Sequence, residues 1–87
     1  MKIIISSTLF KRRLKKLSPK ILILLKERVA IFRENEFDQI LNNHKLNGVY
    51  LHRRSINITG DIRVIYRKIS DNMYLFLTIG THSELYS

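Results

Sequence analysis

The amino-acid sequence predicts an α+β domain of order β-α-α-β-β-β, an antiparallel sheet with two N-terminal helices packed on one face. Three observations carry this expectation. Apolar residues recur at helical spacing through the first half of the chain and at strand spacing from Val49 onward. Ser18-Pro19 divides the helical half into two helices. Thr59-Gly60-Asp61 and Ser70-Asp71-Asn72 divide the second half into three strands. A chain of 87 residues is expected to form one domain, 1–87, with a thin core.

The elements follow in order. Residues 2–5 are mostly β-branched and apolar and predict a short strand, which must join the sheet because a lone strand has no partner. Ser6, Ser7 and Thr8 offer N-caps for a helix over 8–17, on which Phe10, Leu14 and Leu17 form one stripe. Ser18 caps a second helix over 19–35, where proline suits the first turn. Leu22, Leu25, Val29 and Phe32 are its expected core face. Another helical turn is expected over 36–43, with Phe37, Ile40 and Leu41 inward. Strands are then predicted over 49–58, 62–68 and 73–79. Side chains alternate along a strand, so Ile56, Ile58, Ile62, Val64 and Tyr66 should face the helices. Arg53, Asn57, Asp61 and Arg63 then share the opposite face, which reads as a cleft.

Composition narrows the function. Lys plus Arg number 16 against 7 Asp plus Glu, a net charge of +9. No acid precedes Glu27, whereas eight basic residues do. Such a surplus attracts polyanions, nucleic acid first among them. The absence of cysteine excludes disulfides and thiolate metal sites, and it fits a cytoplasmic location. The run Ile21–Leu25 stops at Lys26, well short of the roughly 20 residues of a membrane helix, so no membrane is expected. The apolar start, Ile3–Ile5, is too short for a signal peptide. No His-x-x-x-His spacing is present, and neither a metal nor another cofactor is expected.

Three segments carry a resemblance: His44-Lys45-Leu46-Asn47-Gly48, Gly60-Asp61-Ile62-Arg63-Val64-Ile65-Tyr66 and Gly80-Thr81-His82-Ser83-Glu84-Leu85-Tyr86. Together they resemble the RelE/ParE superfamily of bacterial toxins, most of all the YafQ branch, over the whole chain. His-x-Leu-x-Gly and Gly-Thr-His-x-x-Leu-aromatic are the specific parts. The resemblance implies a toxin of a two-gene toxin–antitoxin module that cuts messenger RNA on the ribosome without a metal. It implies an antitoxin partner with an acidic tail. By position, His44, Asp61 and His82 match the branch's catalytic residues and Tyr86 its C-terminal aromatic. Asn57 stands where that branch has a further histidine, a departure from the pattern. Arg63 matches an arginine of the RelE branch.

The residue types suit metal-free RNA cleavage. The ribose 2′-hydroxyl attacks phosphorus, a base takes its proton, and an acid protonates the departing 5′-oxygen. The products are a 2′,3′-cyclic phosphate and a 5′-hydroxyl. Histidine serves as acid or base near neutral pH, arginine pairs with phosphate through two parallel hydrogen bonds, and an aromatic ring stacks a splayed base. His82 is the expected acid, with His44 or Asp61 as base and Tyr86 near the target nucleotide. Lys45, Arg53, Asn57 and Arg63 are the expected substrate contacts. His52 is expected to face away from the cleft. Arg54 is equally readable as a structural ion-pair partner or an RNA contact. Two other functions fit the same charge: a ParE-like gyrase poison, and a basic RNA-binding module without catalysis.

Overall fold

The computed structural model describes residues 1–86. A first strand, β1 (Ile3–Ser6), leads into helices α1 (Thr8–Leu14) and α2 (Pro19–Glu34). A 3-10 turn over Gln39–Leu41 precedes a two-residue strand, β2 (His44–Lys45). A second 3-10 turn, Gly48–Tyr50, leads to β3 (Arg54–Asn57), β4 (Ile62–Ser70) and β5 (Met73–Thr81). A short helix, α3 (His82–Tyr86), follows. The sheet order is β1-β5-β4-β3-β2. Strands β2 to β5 pair antiparallel, and β1 pairs with β5 in parallel. Among the described residues no helix is long and apolar enough to cross a membrane.

Local chemistry sets the helix starts. The Ser7 hydroxyl accepts from the Phe10 N–H (3.0 Å) and donates to the Leu77 carbonyl (2.6 Å), tying the α1 N-terminus to β5. Ser18 caps α2 through the Ile21 N–H, with Pro19 at the first helical position. The end of α2 is held to β1 by a reciprocal pair. Lys2 Nζ donates to the Arg33 carbonyl (3.1 Å), and Arg33 Nη1 donates to the Lys2 carbonyl (2.7 Å).

The helices cover one sheet face, as strand alternation predicts. Ile56, Ile58, Val64, Tyr66, Tyr74, Phe76 and Ile79 are buried against Phe10, Leu25, Phe32 and Leu41. Phe32 is the hub, its ring lying edge-on to Tyr66, Tyr74 and Phe76 with centroids 5.1 to 5.6 Å away.

Several expectations are corrected. Helix α1 ends at Leu14, three residues early, although Leu17 still packs against the core. On α2, Leu22 is 39% exposed, and Leu24 and Ile31 join Leu25, Val29 and Phe32 at the core. The helical turn expected over 36–43 is three 3-10 residues, and Phe37 and Ile40 face solvent at 60% and 48% exposure. Glu36 is buried in their place. The strand expected from Val49 begins only at Arg54. Gly48 takes a left-handed φ of 64° and His52 one of 68°, which breaks strand alternation between them. Strand β2, helix α3 and the parallel pairing of β1 were absent from the expected order.

Glu36 enters the apolar layer because phenols meet it there. Tyr66 OH donates to Glu36 Oε2 (2.6 Å) and Tyr74 OH to Oε1 (3.1 Å). Burial, then the hydrogen bond to Glu36, push the Tyr66 hydroxyl well above the ordinary phenol value of 10.0, and Tyr74 shifts the same way. A phenol whose folded pKa is raised stabilises the fold fully below the unfolded value, near pH 10. That contribution is lost as pH rises toward the raised value. Denaturant titrations should therefore give a flat stability up to about pH 10. Above it, stability should fall by about 1.4 kcal/mol per pH unit through Tyr66, with Tyr74 acting in the same direction. Tyr66→Phe should be less stable at neutral pH yet show a shallower alkaline decline; an unchanged decline would contradict this assignment.

Candidate functional site

The sheet face opposite helices α1 and α2 is built from three successive cross-strand rows. Pairing aligns His44 with Ser55, Ser55 with Ile65, and Ile65 with Thr78. Two residues along, Asn57 aligns with Arg63 and Arg63 with Gly80. Paired residues share a face, so His44 starts the first row, and Asn57 and Arg63 form the second. Asp61 and His82 continue the alternation as a third, where the His82 N–H donates to Asp61 Oδ1 (3.3 Å). Rows two residues apart are about 7 Å apart along the strand. Arg63 and Asn57 thus stand midway between the two histidine rows.

His82 is positioned by the start of α3. Thr81 and Glu84 form a capping box: the Glu84 carboxylate accepts from the Thr81 N–H (2.8 Å), and the Glu84 N–H donates to the Thr81 hydroxyl (3.1 Å). The Thr81 N–H, then its hydroxyl, hold the Glu84 carboxyl below its ordinary value. Gly80 allows this helix to fold back closely. A Cβ there would lie 3.0 Å from Arg13 Nη1 and 3.2 Å from Glu84 Oε1. Asp61, in the β3–β4 turn, anchors His82 through its backbone.

His44 is fixed differently. Its Nδ1 lies 2.9 Å from the Asn42 carbonyl oxygen, which only accepts, so Nδ1–H is the donor in this contact and Nε2 has no part in it. Asn42 adopts a left-handed φ of 46°, a conformation asparagine tolerates better than most residues. Asn43 pins the segment. Its amide donates to the Glu36 carbonyl (3.0 Å) and to Tyr66 OH (2.7 Å), and its oxygen accepts from Arg54 Nε (2.6 Å).

Tyr86 packs its ring against His82 (4.7 Å between centroids) and edge-on against Tyr50 (5.7 Å). Tyr50 donates its hydroxyl to the Leu85 carbonyl (2.9 Å), so the loop before β3 and helix α3 meet over the sheet. Beneath them lie polar atoms shielded from solvent that have no hydrogen-bond partner among the described residues: Ser55 Oγ, Asn57 Oδ1, Arg63 Nε, Thr78 Oγ1 and Tyr86 OH. All belong to this face or its cover.

The other named residues are placed as follows. Arg53 donates to the Leu51 carbonyl (3.0 Å) and borders the depression that holds Tyr50 and Thr78. Lys45 lies one residue beyond His44 on β2 and points to the opposite face, aligned with Arg54. Among the described residues Arg54 has no ion-pair partner: its Nε bonds Asn43, and its guanidinium lies 5.1 Å over the Phe37 ring centre. His52 is not placed by strand alternation but sits in an exposed turn lining a groove.

Sequence reasoning missed Tyr50, Arg13 and Asn43. Arg13 read as one more cation of a basic helix, yet its Nη1 reaches the Ile79 carbonyl (3.3 Å) beside Gly80. The Thr81-x-x-Glu84 box was a readable signal for α3. No pattern in the sequence marks Tyr50.

A five-stranded sheet with the two N-terminal helices packed on one face is a fold seen in solved structures. The chain superposes on E. coli YafQ with a TM-score of 0.83 at 20% identity, covering 100% of both chains. It superposes on a chain of the E. coli DinJ–YafQ toxin–antitoxin complex with a TM-score of 0.79 at 22% identity, covering 99% of this chain and 98% of that one. A YoeB/ParE toxin from Agrobacterium tumefaciens gives 0.74 at 15% identity, over 94% and 99% of the two chains. Comparison with curated protein sequences gives no match. The profile of the YafQ family, bacterial toxins of type II toxin–antitoxin systems, matches residues 2–87. The chain belongs to the YafQ toxin family.

Proposed function

We propose that this toxin is a ribosome-dependent mRNA endonuclease that works in the bacterial cytoplasm without a metal. The observation that carries this reading is the middle row of the face opposite helices α1 and α2. Arg63, with an unpartnered buried Nε, and Asn57 lie between the His44 row on one side and the Asp61–His82 row on the other. A phosphate on Arg63 would have an imidazole on each flank, the arrangement an in-line attack requires. His44 is the base, because its Nδ1–H is committed to Asn42 and Nε2 is free to accept the 2′-hydroxyl proton. His82 is the acid that protonates the 5′-oxygen. Asp61 holds the His82 backbone, and Tyr86 supplies a ring beside His82 for the target nucleotide. Asn57, in place of a further imidazole, binds rather than transfers a proton. Arg53 contacts the strand beside the cleft, whereas Lys45, on the opposite face of β2, is withdrawn from the cleft. The partner is an antitoxin whose acidic tail covers this basic face, as the assembly of DinJ with YafQ suggests.

The test is to incubate the protein with translating ribosomes and map the mRNA ends. Cleavage leaving 2′,3′-cyclic phosphate and 5′-hydroxyl ends is expected. Intact mRNA together with gyrase-linked DNA breaks would replace this reading by the ParE-like one. Intact mRNA and intact DNA would leave a binding module.

A further inference from the structure

A second cationic groove opens where β3 begins. It is lined by Lys45, His52, Arg53, Arg54 and Lys68, with Leu51 among them and no acidic residue. Among the described residues the only ion pair within 4.0 Å joins Arg28 to Glu27, so no carboxylate neutralises these cations. Gathering like charges is unfavourable in the free protein, and a polyanion in the groove would relieve it. His52 holds a left-handed φ of 68°, a strained conformation for this residue. Beside the groove, Phe37 is largely exposed, with the Arg54 guanidinium over its ring. Lys68 Nζ sits 5.7 Å over the Tyr74 ring centre, anchored in place without a carboxylate. Arg53 lines both this groove and the depression that holds Tyr50 and Thr78, so one guanidinium joins the two.

We propose that this groove holds the phosphodiester backbone of single-stranded RNA where it leaves the cleft. Arg54 and Lys68 contact phosphates, and Phe37 offers a base a stacking surface. An unpaired cationic channel with an exposed aromatic is how proteins hold single strands without reading sequence. An acidic peptide would satisfy the cations but make no use of the aromatic, and continuity through Arg53 favours the strand already assigned to the cleft. The inference rests on the cleft being an RNA site, but its test does not require cleavage.

Binding of a fluorescent 2′-O-methyl oligonucleotide, which has no free 2′-hydroxyl to attack, is measured by anisotropy across a salt series. Lys68→Ala should weaken binding roughly tenfold at low salt and lower the slope of log affinity against log salt by about 0.7, the value of one phosphate contact on a single strand. Phe37→Ala should weaken binding with the slope unchanged. Lys26→Ala, a charge removed from α2 outside the groove, should leave the slope within error. Equal slopes for Lys68→Ala and wild type would overturn the proposal. So would an equal loss in Lys26→Ala, which would mean overall charge alone. Failure of mRNA cleavage with these binding results intact would count against the catalytic reading and leave the groove standing.

Discussion

His82→Ala should abolish mRNA cleavage and growth arrest while the protein keeps its fold. The side chain is exposed, and its structural ties run through its backbone N–H to Asp61 and through the Thr81–Glu84 box, none of which alanine removes. The lost stacking on Tyr86 is a single contact at the edge of the sheet. General acid–base groups contribute about 100- to 10,000-fold each, so the cleavage rate should fall by at least two orders of magnitude with an unchanged thermal transition. His44→Ala should have a comparable effect. The double variant should lose little more than either single one if both act on the same proton-transfer path. Cleavage time courses on ribosomes, with circular dichroism of the same preparations, decide it: a folded His82→Ala protein that cuts at the wild-type rate would remove His82 from the chemistry.

The placement of His82 was readable because it sits in a short motif whose geometry is local, whereas that of His44 rests on the distant partners of Asn43. Gly80-Thr81-His82-Ser83-Glu84 contains its own helix start, and alternation along β4 and β5 alone puts His82 on the face of Arg63 and Asp61. The loop before β3 was not readable, because β-branched and aromatic residues from Val49 to His52 mimic a strand. Its actual course depends on Gly48 and His52 in left-handed conformations and on Tyr50 reaching across to Leu85. These are long-range choices that periodicity does not encode. Phe37 and Ile40 failed for a related reason: helical spacing marks a face but does not say that the chain will stop after three 3-10 residues. The same segment hid the polar centre of the core. A glutamate followed by an apolar residue reads as surface, and only the tertiary structure brings two tyrosine hydroxyls, from β4 and β5, onto Glu36.

That polar centre sets the second large expected effect. Glu36→Ala should destabilise the protein by about 3–5 kcal/mol. Two phenols donate to this carboxylate in a buried setting, and hydrogen bonds to a charged group are worth about 1.5–3 kcal/mol each. Removing the acceptor leaves both hydroxyls short of a partner among Phe32, Phe76 and the sheet, where water is excluded. For a fold with a total stability of about 5–15 kcal/mol, such a loss brings the transition close to growth temperature. The consequence extends to the site. Tyr66 OH also receives the Asn43 amide, and Asn43 immediately precedes His44 on a strand only two residues long. Such a strand has little stability of its own, so its position depends on the chain Glu36–Tyr66–Asn43–Arg54. Glu36→Gln, which keeps the size and one acceptor oxygen, should recover part of the stability. Asn43→Ala tests the second half of the argument: it should cost less stability than Glu36→Ala yet slow cleavage more than its stability loss explains, with His44 ring resonances broadened in NMR spectra. Cleavage and His44 resonances like those of wild type in Asn43→Ala would confine the buried network to holding the core.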